Sequence, residues 1–172
     1  MQKNLKTRVL VGSDFDDLDR WFGLRSGEFN KPRTLWAKYL KDVKTNKRLV
    51  LVAELNKKVV GYCTLNFKSS YAPFKKAGIP EIQDLNVGRP FRRQGIAGAL
   101  IASLERQVKK MGKGVIGIGV GMEPGYGNAQ RLYVKMGYIP DGRGLTYNHI
   151  QVTYGKHYPA DDELVLFFTK EL

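Results

Sequence analysis

The chain has 172 residues, is 42% hydrophobic and 26% charged, and carries a formal net charge of +13. That length suits a single domain over residues 1–172, able to bury roughly 70% of its unfolded surface. The composition excludes a disordered chain, and no run of about 18 apolar residues exists to span a membrane. The basic N-terminal stretch has no apolar core, so no secretory leader is expected. Cys63 is the only cysteine and forms no internal disulfide, so the cytoplasm is the expected compartment.

The basic excess points to an anionic partner or a solvated basic surface. Between Arg89 and Lys113 there are seven Lys or Arg and one acid, Glu105, so part of the excess is already placed beside a candidate anion site. No Lys/Arg block of five occurs, and basic residues do not interleave with aromatic ones as on a nucleotide-stacking surface. Nucleic acid is therefore disfavoured as the main partner.

In chain order, residues 5–11 read as a strand. Asp14 is a plausible N-cap for an amphipathic helix through Leu24, with Leu18, Trp21 and Phe22 on one face. Pro32 opens a second helix bearing Leu35, Tyr39, Leu40 and Val43. Residues 48–55 and 58–67 form a hairpin around Asn56-Lys57, a turn that accepts positive φ at Asn56. Residues 68–80 read as a loop with Tyr71 and Phe74. A strand over 81–87 leads through Gly88-Arg89-Pro90 to a long helix, about 94–111. A strand over 115–121, a turn and a shorter helix over about 127–136 follow. A Gly-rich connection then precedes a last strand, 164–170. This order predicts an α/β (α+β) fold, a mixed sheet flanked by helices.

The informative stretch runs from Leu85 to Leu100. A strand ends, a short loop turns, and a helix opens with small residues. Helix N-termini leave N–H groups unpaired and favour anions. Gly95, Ala97 and Gly98 let a phosphate approach the main chain, and Arg92 and Arg93 add charge that can fork onto phosphate oxygens. Ile96, Leu100, Leu104, Val108 and Met111 supply the buried face of the helix. Neither a GxxxxGK[ST] loop nor a strand-GxGxxG-helix with a following acid is present. On these residues alone, the stretch is a basic anion site or a basic helix start packed through glycines.

The run Arg92-Arg93-Gln94-Gly95-Ile96-Ala97, followed by an amphipathic helix, resembles the cofactor motif [QR]-x-x-G-x-[GA] of the GNAT N-acetyltransferases. Downstream, Ala129-Gln130-Arg131-Leu132-Tyr133-Val134-Lys135-Met136-Gly137-Tyr138 is similar to that family's A-x-x-L-Y-x-x-x-G-[FY] segment. The resemblance is strong over 48–138 and topological outside it. One departure stands out: where the family often has Asn, three residues before Ala129, this chain has Tyr126, with Asn128 displaced by two.

The resemblance implies the acyl-CoA N-acyltransferase fold, a mixed, mostly antiparallel sheet of about six or seven strands with about four helices. It implies acetyl-CoA as co-substrate, without a metal, and transfer of its acetyl group to a primary amine by direct attack in a ternary complex. The implied cofactor positions are Leu85, Asn86 and Val87 on the strand, Arg92, Arg93, Gln94, Gly95, Ile96, Ala97 and Gly98 around the pyrophosphate, and Asn128. Leu85 and Val87 would bind pantetheine through their main chain, and the Val87 N–H would face the thioester carbonyl.

An attacking amine must be neutral, although a lysine-like amine has a pKa of about 10.4, so a nearby carboxylate base is needed. Glu81 matches the base glutamate of the histone-type branch. Its competing reading is a solvent-facing acid at the strand start, and a bulge would substitute Asp84. Tyr133 matches the family's general-acid tyrosine; its competing reading is a packed helix tyrosine. His149 and His157 read as surface residues and Cys63 as a core residue. No metal-ligand cluster is visible.

Asp14, Asp16, Asp17, Asp19 and Glu28, beside Trp21, Phe22, Phe29 and Trp36, would make an acidic, aromatic rim suited to a cationic amine, or else a solvated helix start. A small molecule, a peptide or a protein lysine all remain open as acceptor, as does a homodimer; no membrane partner is expected. A non-catalytic acyl-CoA-binding regulator and a nucleic-acid-associated protein on the same fold are the alternative classes.

Overall fold

The computed structural model describes residues 4–27 and 30–172. In chain order the elements are β1 (Leu5–Val9), α1 (Phe15–Phe22), α2 (Arg33–Lys44), β2 (Arg48–Leu55), β3 (Lys58–Asn66), α3 (Ala72–Ala77), β4 (Glu81–Val87), α4 (Ile96–Lys110), β5 (Val115–Gly121), α5 (Gly127–Lys135), β6 (Ile139–Tyr147), β7 (Ile150–Gln151) and β8 (Leu164–Glu171). Residues Met1–Asn66 with Gln83–Arg106 make one unit, and Phe67–Ile82 with Gln107–Leu172 a second.

In the first unit β1, β2, β3 and the end of β4 lie side by side. β1 runs antiparallel to β2, with Leu5 opposite Leu55 and Val9 opposite Leu51. The β2–β3 hairpin closes through Asn56 and Lys57 at φ 51° and 64°, the double left-handed turn that suits strand twist. β4 is antiparallel to β3, because the Thr64 hydroxyl donates to the Gln83 carbonyl while the Gly88 N–H donates to Val60 O. α1 and α2 lay Leu18, Phe22, Trp36 and Tyr39 onto Val50, Val52, Val59 and Tyr62, forming one buried cluster. Each such side chain contributes about 1.5–3 kcal/mol on burial.

In the second unit the order is the start of β4, then β5, β8, β6 and β7. Glu81 and Ile82 pair in parallel with Gly117 and Ile118. The pairings of β5 with β8, β8 with β6 and β6 with β7 are antiparallel. Tyr71 stacks on Phe167 with centroids 3.8 Å apart, and Phe74 packs edge-on against both. Gly117 is required there, since a Cβ on it would lie 2.1 Å from the Phe74 ring.

Helices packed on mostly antiparallel strands give the expected α/β class. Among the described residues there are eight strands and five α-helices, more than the six or seven and four expected. β6 and β7 lie in the Gly-rich connection, where Pro140, Gly142 and Gly144 obscure the alternation and the pairing with β8 shifts register between Pro140 and Leu145. α3 occupies the expected loop, opened by Pro73 and closed by Gly78 in the left-handed conformation. Met111 is a further correction: it lies beyond the end of α4 and is exposed, whereas Ile96, Leu100, Leu104 and Val108 are buried.

Candidate active site

The strand, turn and helix start expected around the proposed cradle are all present. β4 ends at Val87, a short 3-10 turn spans Arg89–Phe91, and α4 opens at Ile96. The turn is packed tightly: Phe91 sits edge-on to Trp21 at 5.0 Å, and a Cβ on Gly88 would crowd both rings. Arg92 is anchored, donating from Nε to the Val87 carbonyl at 3.1 Å, and Gln94 Nε2 donates to Pro90 O. Arg93 and Gly95 take φ 60° and 81°, which turns the chain into the helix. The first helical bond runs from Ala99 N–H to Gly95 O, so the amides of Ile96, Ala97 and Gly98 have no carbonyl one turn back to receive them. Glycine at 95 is demanded by its backbone angle, since nothing lies within 4 Å of where its Cβ would be. The open space above it, ringed by amides and two arginines, suits a pyrophosphate.

β4 does not alternate regularly. Asp84 has φ 47°, a conformation Asp tolerates better than most residues. Its carboxylate accepts from Lys31 Nζ at 2.6 Å, the Tyr39 hydroxyl at 2.6 Å, the Tyr62 hydroxyl at 2.9 Å and Asn86 Nδ2 at 2.8 Å. Four donors fill its lone-pair positions. Burial, and then the charge of Asp84, hold the Tyr39 and Tyr62 hydroxyls far above the ordinary phenol range. The Asn86 amide is committed to Asp84 and to the Tyr62 oxygen, which leaves its main chain for any ligand. Leu85, Asn86 and Val87 are half-buried.

Glu81 is only 3% exposed, so the reading of it as a solvent-facing acid is excluded. It accepts a hydrogen bond from the Ser69 hydroxyl, whose oxygen in turn accepts the Tyr71 N–H at 2.9 Å. The pairing of Lys31, Tyr39, Tyr62 and Ser69 with these carboxylates has no signal in the sequence. A hydroxyl 12 or 22 residues from its carboxylate partner gives no periodic signal.

Tyr133 is 6% exposed and tilted against Tyr138 at 6.2 Å. α5 is tied to the end of β5 by Gln130 Nε2 donating to Gly121 O, and it stops at Gly137, φ 86°. Asn128 is exposed in its first turn. Tyr126, standing where the family often has Asn, has a packing role instead. Its ring covers Gly121, where a Cβ would lie 2.5 Å from it, and its hydroxyl donates to Asp162.

The acidic, aromatic rim is corrected by the structure. Asp14 is buried and forks onto Arg8 at 2.7 and 2.8 Å. Asp17 accepts the Val59 N–H, and Asp19 accepts from Trp36 Nε1 and Arg33. Asp16 pairs with Arg33 on the surface. Phe22 and Trp36 are buried core residues. Short polar side chains beside strand ends met internal donors first. Glu28 and Phe29 lie outside the described residues.

His149 and His157 are exposed, and Cys63 is fully buried, with burial raising its thiol pKa. Among the described residues no group of three His, Cys, Asp or Glu is placed to hold a metal, and no helix is long and apolar enough to cross a membrane.

Comparison with known proteins bears on this arrangement. The ribosomal-protein-alanine N-acetyltransferase from Brucella melitensis superposes with TM-score 0.71 at 19% identity, covering 97% of this chain and 99% of that one. Ard1 from Thermoplasma volcanium gives TM-score 0.71 at 16% identity, covering 99% of each. A GNAT family acetyltransferase from Elizabethkingia anophelis with acetyl-CoA bound gives TM-score 0.62 at 18% identity, covering 99% of this chain and 100% of that one. At such identities the likeness establishes the fold. A search of curated proteins returned no significant sequence match. Residues 15–138, well over half the chain, match the acetyltransferase (GNAT) family, and the chain belongs to that family.

Proposed function

We propose that this chain is an N-acetyltransferase that moves an acetyl group from acetyl-CoA to a primary amine. The observation that carries the reading is the start of α4, where left-handed Arg93 and Gly95 open onto the amides of Ile96, Ala97 and Gly98, which have no backbone acceptor among the described residues, beside Arg92. That donor set fits a pyrophosphate, and family membership makes acetyl-CoA its natural owner. Acetyl-CoA supplies an activated thioester carbonyl.

The chain's own residues then have distinct tasks. The main chain of Leu85 and Val87 aligns the pantetheine arm, and the Val87 N–H donates to the oxygen on which negative charge develops. Glu81, directly or through water, takes the proton of the attacking amine. As the C–N bond forms and the C–S bond breaks, Tyr133 gives its proton to the departing sulfur. One observation supports Glu81 over Asp84: the Asp84 carboxylate already accepts four hydrogen bonds. Asn128, exposed on α5, is a further candidate for the cofactor.

Purified protein mixed with acetyl-CoA and a panel of amines should release free thiol in an amine-dependent manner. Tight acetyl-CoA binding with no release from any amine would favour the acyl-CoA-binding regulator instead. Binding to nucleic acid that weakens steeply with salt, without acetyl-CoA binding, would overturn both.

A further inference from the structure

The first unit contains a cavity of about 260 Å³ whose walls include Arg20 and Trp21 of α1, Arg25 just after it, and Arg89 and Pro90 of the turn that follows β4. Three arginines therefore line one hollow. No described carboxylate lines it, and none of the three arginines forms an ion pair among the described residues. This contrasts with Arg8 and Arg33, which the fold neutralises with Asp14, Glu54, Asp16 and Asp19. Trp21 lines the same cavity, and its indole N–H is buried in the fold without an acceptor among the described residues. An indole N–H and a guanidinium only donate. A buried donor left unpaired is costly and rare in native structures, and gathered like charges attract a counter-ion. Among the described residues, nothing in the cavity lining supplies an acceptor-rich anion.

The cavity is linked to the proposed acyl site along the chain. Arg89 and Pro90 stand between Val87, at the end of β4, and Arg92, at the cradle. The cradle has its own donors for the cofactor's pyrophosphate in Arg92, Arg93 and the amides of Ile96 to Gly98, so the three cavity arginines are additional to it.

We propose that this cavity receives an anionic group of the acceptor, so that the amine acetylated belongs to a molecule carrying a carboxylate or a phosphate. The proposal rests on the N-acetyltransferase reading, and it reverses the polarity that the acids of α1 suggest from sequence. Those acids are spent inside the fold or on Arg33, while the three arginines form no ion pair among the described residues.

Two measurements test it. In the first, thiol release is followed with matched amines, 6-aminohexanoate against 6-aminohexanamide and phosphoethanolamine against ethanolamine. The anionic member of each pair should have a kcat/KM about tenfold higher or more, as expected for a charge-assisted hydrogen bond. Arg25→Gln should bring the ratio close to one by raising the acceptor KM while the acetyl-CoA KM holds. Equal rates within both pairs, or an Arg25→Gln effect mainly on the acetyl-CoA KM, would overturn the proposal. The latter result would assign the cavity to the cofactor's phosphates.

The second measurement needs no turnover. The Trp21 indole N–H resonance, assigned with Trp21→Phe, is followed as glutarate, an amine-free dicarboxylate, is added. It should shift with saturation, and Arg25→Gln and Arg89→Gln should each weaken that binding about tenfold. A resonance that does not respond to glutarate, or responds equally in these variants, sinks the cavity assignment. A saturable shift with no thiol release from any amine would instead leave the cavity standing and remove the acetyltransferase reading.

Discussion

The Tyr39 hydroxyl donates to Asp84 Oδ2 at 2.6 Å, and Asp84 makes this bond from a left-handed backbone, φ 47°. A helix residue and a strand residue are thereby locked together, with Lys31, Tyr62 and Asn86 completing the set of donors. Asp84→Asn should leave Lys31 without its counter-ion and turn one acceptor into a donor facing other donors. The expected loss is about 2–4 kcal/mol, or about 5–15 °C in melting temperature for a chain of this size. Circular dichroism melts check it. An unchanged melt would mean that the network contributes nothing.

Alkaline pH offers a second test. Burial, and then Asp84, raise the Tyr39 and Tyr62 hydroxyls, and burial raises the Cys63 thiol. A group whose folded pKa is raised keeps its proton in the fold after the unfolded chain has released it. Its contribution is complete below the unfolded pKa and is lost as pH climbs toward the folded one. Stability should thus begin to fall near pH 9 through Cys63, then more steeply above about pH 10 as the tyrosines join. Each group adds about 1.4 kcal/mol per pH unit. Urea unfolding across pH 8–11 measures the slope, and Cys63→Ala should remove the early part of the fall.

Gly95→Ala separates the cradle from the fold. A side chain at φ 81° costs about 1–2 kcal/mol of stability. The new methyl group also enters the open space where the pyrophosphate is proposed to sit, so acetyl-CoA affinity should fall by about tenfold or more. Calorimetric titration compares the two effects.

The two proposed proton carriers predict different kinetics. Tyr133→Phe should lower kcat by about 10²-fold or more with acetyl-CoA affinity kept, because the ring still packs against Tyr138. Glu81→Gln should lower the rate at neutral pH by about 10²–10⁴-fold and let it recover as pH rises, since bulk solvent then deprotonates the amine. A Glu81→Gln enzyme with the wild-type pH profile would end the base assignment.

Gly117→Ala tests packing in the second unit. Its Cβ would meet the Phe74 ring at 2.1 Å, and Phe74 is 2% exposed between Tyr71 and Phe167. Relief requires moving a stacked ring, at a cost of about 3 kcal/mol, readable as a lower urea midpoint.

The sequence by itself determined the elements whose signal is local. The β2–β3 hairpin is fixed by Asn56-Lys57 and flanking alternation, α4 by an apolar residue every fourth position, and the cradle by Gly95 ahead of small residues. These depend on backbone angles and on neighbours within one turn, which a linear reading contains. β6 and β7 escaped that reading because Pro140, Gly142 and Gly144 break the period, and only pairing with β8 makes them strands. Tertiary structure alone decided the fate of the charges. A carboxylate goes to whichever donor folding brings near, so Asp84 became the hub of Lys31, Tyr39, Tyr62 and Asn86, and Glu81 was buried against Ser69. Asp14 was given to Arg8, while Arg20, Arg25 and Arg89 were left facing one cavity. Those partners lie up to dozens of residues away, and desolvation, which only packing sets, determines what each charge can do.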